Sequence, residues 1–259
     1  MAKRLEDGFD LSGKVAVITG GSRGLGLEIA RAYARCGARL VIASRKLEAC
    51  ESVAADIEAE TKQECAAVAC HVGRWEDCDR LVGFAYERFG RVDILVNNAG
   101  MSPLYESLPK VSEELYDKVL SVNLRGPFRL SSLIGSRMAE GSGGVIINVS
   151  SIAAVQPTPT ELPYALAKAG LNALTVGLSR AFAPKVRVNC IMPGPFLTDI
   201  SKAWDPEAFA KMARHGIPLQ RGGEPHEVVG AALYFASDAS SFTTGAVLKI
   251  DGGTAFSPA

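Results

Sequence analysis

The sequence predicts an α/β fold, a mostly parallel sheet doubly wound by helices on both faces, and three observations predict it. Short β-branched runs alternate with helical patterns along the whole chain, as successive βαβ units do. The first run ends in a glycine-rich turn that leads straight into a helix. At 259 residues and 47% hydrophobic content, the chain can bury one sizeable core. We expect a tail over residues 1–12, packed loosely, and a single domain over 13–259, in halves of about 13–150 and about 151–259.

The first strand is Lys14 to Thr19 (KVAVIT), feeding the turn Gly20-Gly21-Ser22-Arg23-Gly24-Leu25-Gly26. The helix after it places Leu25, Ile29, Ala32, Tyr33 and Cys36 on its apolar side and stops at Gly37, and Arg39 to Ala43 is the second strand. A helix from about Leu47 to Thr61 precedes the third strand, Cys65 to Cys70, which reaches His71 and Val72. Another, about Glu76 to Phe89, ends at Gly90 before the fourth strand, Asp93 to Val96. That strand runs into Asn97-Asn98-Ala99-Gly100.

Past a loop with Met101, Leu104 and Tyr105, a long helix begins near Ser112. Asn123 lies inside it. An asparagine in a helix interior is mildly unfavourable, so it is either exposed or recruited, and by itself it reads as a polar surface residue. Arg125, Arg129 and Arg137 follow on the same helix, either facing an acidic carrier protein or standing as ordinary solvated cations. The fifth strand, Gly144 to Ser150 (GVIINVS), is continuous and β-branched, as in a sheet covered on both faces. It delivers Ser151 to its carboxyl end, where ligands lie in open parallel sheets.

Val155 to Pro163 carries three prolines with Gln156, Thr158, Thr160 and Glu161, a stiffened stretch suited to a pocket wall. Pro163 opens a helix from Tyr164 to about Phe182. The sixth strand, Val186 to Ile191, leads to Pro193-Gly194-Pro195-Phe196-Leu197-Thr198. Asp199 to Gly216, with Trp204, Phe209 and Met212, reads as a mobile substrate-covering helix or as a plain surface helix. A helix from His226 to Ala236 and a strand from Val247 to Ile250 complete the pattern.

Acidic and basic residues balance at 28 each, so net charge gives no pull toward nucleic acid or an anionic membrane. A small molecule or a second copy of the chain is the expected partner. Residues 1–12 lack the apolar core of a signal peptide, and no apolar run approaches the ~20 residues that span a bilayer. A soluble, cytoplasmic protein is expected. The six cysteines form no CxxC pair, and with His71, His215 and His226 they make poor metal spacing, so they read as reduced thiols and no metal is expected.

Tyr164 and Lys168 carry the chemistry. At i and i+4 on one helix they point to the same side, and an ammonium beside a phenol favours the phenolate. The spacing predicts that the phenol's acidity, ordinarily near ~10, moves toward neutrality so that it exchanges a proton with a substrate oxygen. Alone, the two residues read equally as an ordinary helix pair.

The TGxxxGxG arrangement from Thr19 to Gly26 resembles the short-chain dehydrogenase/reductase family. So do NNAG at Asn97–Gly100, the separation of thirteen residues between Ser151 and Tyr164, Lys168 four further on, and PGxxxT at Pro193–Thr198. The resemblance covers about Leu11 to Gly253 and is nearest the 3-oxoacyl-carrier-protein reductase-like branch. It implies a Rossmann-type domain with a mostly seven-stranded parallel sheet, and an oxidoreductase interconverting a carbonyl and a secondary alcohol. Tyr164 is then the general acid/base, Ser151 orients the carbonyl oxygen, and Lys168 lowers the tyrosine pKa. Asn123 is then recruited: it distorts its helix and anchors a relay water.

For the cofactor, the resemblance implies contacts from Gly20, Ser22, Arg23, Leu25 and Gly26 in the glycine turn, and from Ser44, Arg45 and Lys46 after the second strand. It adds His71 and Val72 at the adenine, Asn98, Ala99, Gly100 and Val122 along the ribose, then Tyr164 and Lys168. Pro193, Gly194, Phe196 and Thr198 hold the nicotinamide end. Where NAD-preferring members carry an acidic residue, this chain has Ser44 followed by two cations, which favours NADP(H) over NAD(H). His71 departs from the family, which has an aspartate there. The family's subunit contacts imply a homotetramer or homodimer. Sugar, polyol and hydroxysteroid dehydrogenases share these motifs, and a non-catalytic NADP(H)-binding regulatory protein is the reading from another class.

Overall fold

The computed structural model describes residues 8–199, 201 and 205–255. Seven strands, β1 (Val15–Thr19), β2 (Arg39–Ser44), β3 (Cys65–Ala69), β4 (Ile94–Asn97), β5 (Gly144–Val149), β6 (Val186–Pro193) and β7 (Val247–Ile250), form one sheet in the order β3-β2-β1-β4-β5-β6-β7. Every neighbouring pair is parallel. Eight α-helices among the described residues connect them: α1 (Gly24–Arg35), α2 (Leu47–Thr61), α3 (Trp75–Phe89), α4 (Glu113–Leu120), α5 (Gly126–Glu140), α6 (Leu162–Ala181), α7 (Pro206–Gly216) and α8 (Val229–Ala236).

Both faces of the sheet are apolar because alternate residues of one strand feed two different cores. Ala16 and Ile18 of β1 pack with Ile29 and Tyr33 of α1, Ile57 of α2 and Phe235 of α8. Val15 and Val17 pack instead with Leu81 of α3 and with Leu130 and Ile134 of α5. A continuous apolar strand is what such a two-sided environment requires. The strand order reverses between β1 and β4, the switch point of an open α/β sheet, and the crevice at the carboxyl ends of those two strands is where ligands bind in such folds.

Three details refine the sequence-based expectation. The long helix from Ser112 carries the local distortion that the resemblance implied at Asn123: α4 gives way at Ser121–Arg125 to a wider π-helical turn before α5 resumes. Ser112 is a full N-cap, its hydroxyl accepting from the Leu115 N–H at 3.1 Å. The end of the expected loose tail is anchored, since Leu11 is buried and its N–H donates to Cys36 O at 2.8 Å.

No helix among the described residues is long and apolar enough to cross a membrane. All six cysteines are free thiols, five of them buried and Cys36 partly so.

Candidate active site

β5 and α6 bring the expected residues together at the carboxyl edge of the sheet. Ser151 follows β5 and caps a short turn, its Oγ accepting from the Ala153 N–H at 3.2 Å. Pro163 sits in the first turn of α6, where its missing N–H costs nothing, and one turn of helix then stacks Lys168 over Tyr164 with its Nζ 5.6 Å from the ring centroid. The Ser151 side chain lies near enough to the Tyr164 phenol to pull its pKa down. Two bonds lock the strand to the helix: Ser150 Oγ donates to Lys168 O at 3.1 Å, and Lys168 Nζ donates to Val149 O at 2.7 Å.

The electrostatics differ from the expectation that Lys168 would draw the tyrosine toward neutrality. Burial pushes the Tyr164 phenol up to about 12, outweighing the downward pull of the nearby Ser151 side chain, and the Glu161 carboxylate adds a smaller upward push. Lys168 is itself 3% exposed, and burial pulls its ammonium down to about 8. In the free protein at neutral pH the phenol therefore holds its proton.

Asn123 is fully buried inside the π-helical turn, so it is not a polar surface residue. Its Nδ2 donates to Val119 O at 2.9 Å and Met101 O at 2.8 Å, and its Oδ1 accepts from Met101 N–H at 3.1 Å. Taking the Val119 carbonyl replaces a helical bond with a side-chain one, a physical cause for the widened turn. Gly100 closes the gap between this turn and the tyrosine side of the site. A Cβ there would come within 2.9 Å of Asn123 Oδ1 and 3.5 Å of Lys168 Nζ.

The crevice at the switch point fits a dinucleotide. Gly26 is pressed so closely on Asn98 and Gly20 that no side chain could be placed there. Neither a side-chain cap nor an acidic residue occupies the first turn of α1, which leaves its N–H groups open to a phosphate. Asn98 Nδ2 donates to Thr19 O at 3.0 Å and Gly20 O at 3.2 Å, while Asn98 and Ala99 both donate their N–H groups to Thr19 Oγ1 at 3.1 Å. Ser22 Oγ donates to Ser44 Oγ at 3.1 Å, joining the glycine turn to the end of β2.

Arg45 and Lys46 are exposed there, with no ion pair among the described residues. Arg23 lies 3.9 Å from Asp199 instead, so it is drawn across the glycine turn toward the loop after β6. In that loop Gly194 N–H bonds Ile250 O at 2.9 Å, Phe196 is buried and bridges to Gly223, and a Cβ on Gly24 would lie 3.7 Å from Thr198. The Leu25 side chain packs against the core beneath the turn, and Pro193 ends β6.

At the far end of the crevice, Val72 and Val122 are buried, and the His71 ring and Val122 both flank Gly73. His71 Nδ1 accepts from the Gly73 N–H at 3.2 Å, the turn-making role an aspartate oxygen plays.

Three features go beyond the sequence reading, in which the asparagines of Asn97–Gly100 stitch the central strands together. Asn97 Nδ2 donates to both Ser131 Oγ and Asn148 Oδ1 at 2.9 Å, and Asn148 Nδ2 donates to Thr175 Oγ1 at 2.9 Å, a buried chain that holds α5, β4, β5 and α6 in register. The signal was Asn148 itself, a polar residue in the apolar run GVIINV, which burial obliges to find a partner. Tyr105 is the second: its hydroxyl donates to Pro159 O at 2.6 Å and accepts from Leu162 N–H at 2.9 Å, clasping the proline wall to the start of α6. The third is the shallow cleft beside Tyr164, lined by Pro103, Tyr105, Leu115, Val119, Glu161 and Pro163.

The row of arginines is spent within the chain. Arg129 makes two 2.7 Å bonds to Asp79 and stacks over Trp75, Arg137 lies over Tyr86, and Arg125 donates to Gly73 O at 2.9 Å. The 199–216 stretch holds α7, capped by Asp205 Oδ1 accepting from the Ala208 N–H at 2.7 Å, with Met212 exposed. Trp204 lies outside the described residues. No group of three or more metal-ligating side chains occurs among the described residues.

A family profile described as enoyl-(acyl carrier protein) reductase matches residues 20–255, nearly the whole chain. The chain belongs to the short-chain dehydrogenase/reductase family. Dehydrogenase/reductase SDR family member 4 from Homo sapiens is 36% identical over 246 residues, covering 94% of this chain and 88% of the relative. Among solved structures, L-sorbose reductase from Gluconobacter frateurii, complexed with NADPH and L-sorbose, is 30% identical with a TM-score of 0.90, covering 96% of this chain and 99% of that one. A 7α-hydroxysteroid dehydrogenase complexed with NADH is 31% identical with a TM-score of 0.92, covering 97% and 98%. The doubly wound sheet is thus that of the family, and the protein is an oxidoreductase of alcohol and carbonyl groups.

Proposed function

We propose that the protein is an NADP(H)-dependent reductase of ketones, with Tyr164 as the group that protonates the carbonyl oxygen. The observation that carries this is the Ser151–Tyr164–Lys168 cluster, in which a proton-bearing phenol beside a hydroxyl and an ammonium borders a cleft. The phenol carries its proton at neutral pH, the form the reducing direction needs. Bound NADPH supplies the hydride. Ser151 polarises the carbonyl oxygen, Tyr164 transfers its proton to that oxygen, and Lys168 stabilises the phenolate left behind. Asn123 positions the loop at Met101 and, as in the family, anchors the relay water that returns the proton.

The cofactor residues proposed are those of the crevice, from Gly20, Ser22 and Gly26 through Val72 and Asn98–Gly100 to Pro193–Thr198. Preference for NADP(H) rests on Ser44 with the unpaired cations Arg45 and Lys46 beside it. Replacing both cations by alanine is expected to weaken NADPH binding about tenfold or more and leave NADH binding nearly unchanged, read by cofactor fluorescence titration. Equal losses for both cofactors would remove the argument for a 2′-phosphate site.

The engaged arginines of α5 weigh against docking of an acidic carrier protein, so a free ketone is favoured over a carrier-bound 3-oxoacyl thioester. NADPH oxidation measured with acetoacetyl thioesters, diketones, keto sugars and steroids tests the reading. Turnover of a small ketone or keto sugar supports it, while binding of NADPH with no turnover across the panel points to a regulatory protein instead.

We also propose a homotetramer or homodimer in the cytoplasm. Phe128 on α5, Leu166 and Val176 on α6, and Val247 and Leu248 on β7 expose apolar surface on the elements that pair subunits in the family. Light scattering on the purified chain is expected to return two or four copies, and a monomeric mass would overturn this.

A further inference from the structure

The cleft beside Tyr164 is apolar on nearly every side, with Pro103, Leu115, Val119 and Pro163, yet Glu161 opens into it. Glu161 is the N-cap residue of α6, a position where an acidic side chain ordinarily turns back to accept the first free N–H groups of its own helix. Here it makes no such bond. The second helical residue is Pro163, which has no N–H to offer a cap, and the Leu162 N–H goes to the Tyr105 hydroxyl. A single hydroxyl, that of Thr158, reaches Glu161 Oε1 at 3.2 Å, and no cation pairs with Glu161 among the described residues. A carboxylate three residues before the proton donor and in the same cleft also acts directly on the reacting group, as its upward push on Tyr164 records.

We propose that Glu161 selects the substrate, and that the cleft takes ketones bearing a positive charge near the carbonyl in preference to neutral or anionic ones. This rests on the reductase reading of the same site. Opposite charges a few ångströms apart beside apolar walls attract far more strongly than in water, so the effect is large enough to measure. An anionic ketone meets the same carboxylate as a repulsion and is rejected for the same reason.

The test uses the full chain at saturating NADPH and three ketones of matched shape: a permanently cationic N,N-dimethylpiperidinium ketone, its neutral carbon isostere gem-dimethylcyclohexanone, and a cyclohexanone carboxylate. The expected kcat/KM of the wild type is about tenfold higher for the cation than for the neutral ketone, and lower again for the anion. In Glu161→Gln the ratio of cation to neutral falls to near one, and in Glu161→Asp it keeps its direction. Because the readout is a ratio within each protein, a general loss of activity does not mimic the result. An unchanged ratio in Glu161→Gln, with the neutral ketone still reduced, overturns the proposal alone. If the wild type reduces none of the three, the reductase reading falls and takes the proposal with it.

Discussion

Tyr164→Phe is expected to lower reductive turnover by about 10² to 10⁴-fold, the usual contribution of a placed general acid, while NADPH affinity stays within a few-fold of the wild type. The substitution keeps the ring under Lys168 and the shape of the cleft, and removes the hydroxyl beside Ser151. The phenol's pKa of about 12 makes the loss nearly pH-independent across the neutral range, because the wild-type group is protonated throughout it. Single-turnover rates with bound NADPH, together with a fluorescence titration of the cofactor, separate chemistry from binding. Turnover equal to that of the wild type would remove Tyr164 from the mechanism.

The second large effect concerns stability. Lys168 has a folded-state pKa of about 8 against an ordinary value of 10.5, so the folded protein gives up its proton before the unfolded chain does. Between those pH values the unfolded state binds more protons, and stability rises with pH. The burden of the buried charge is fully present below about pH 8 and vanishes above about pH 10.5. Relative to Lys168→Met, in which no charge titrates, the wild type should gain about 2 to 3 kcal/mol between about pH 7 and about pH 10. Denaturant midpoints of both proteins at the two pH values measure this, since other titrating groups cancel in the difference. A difference that does not change with pH would mean that the ammonium is solvated in the folded protein. Keeping a costly ammonium at 3% exposure makes sense only where the charge is used, which is the stability–activity trade-off expected of an active site.

The alternation of strands and helices was legible because it is local: β-branched runs such as KVAVIT and helix-ending glycines such as Gly90, with φ of 72°, carry their own signals. Strand ends moved by at most two residues, since pairing with neighbours, rather than propensity, decides where a ladder stops. Ser151, Tyr164 and Lys168 could be nominated together because helical spacing and a strand terminus fix where such residues lie. Asn123 could not be placed from its residues alone, because an isolated asparagine in a helix reads the same whether it is exposed or bent into a π-helical turn.

What the sequence by itself determined was the order of elements, the doubly wound sheet, and which hydroxyl, phenol and amine stand at its carboxyl edge. Only the tertiary structure decided the direction of the tyrosine's pKa, the internal pairing of Arg129 with Asp79, and the meeting of Tyr105 with the start of α6 beside the cleft that Glu161 lines. The reason is physical. Periodicity is written in neighbouring residues, whereas burial and charge depend on groups brought from as far apart as Tyr105 and Leu162, whose proximity no local pattern records.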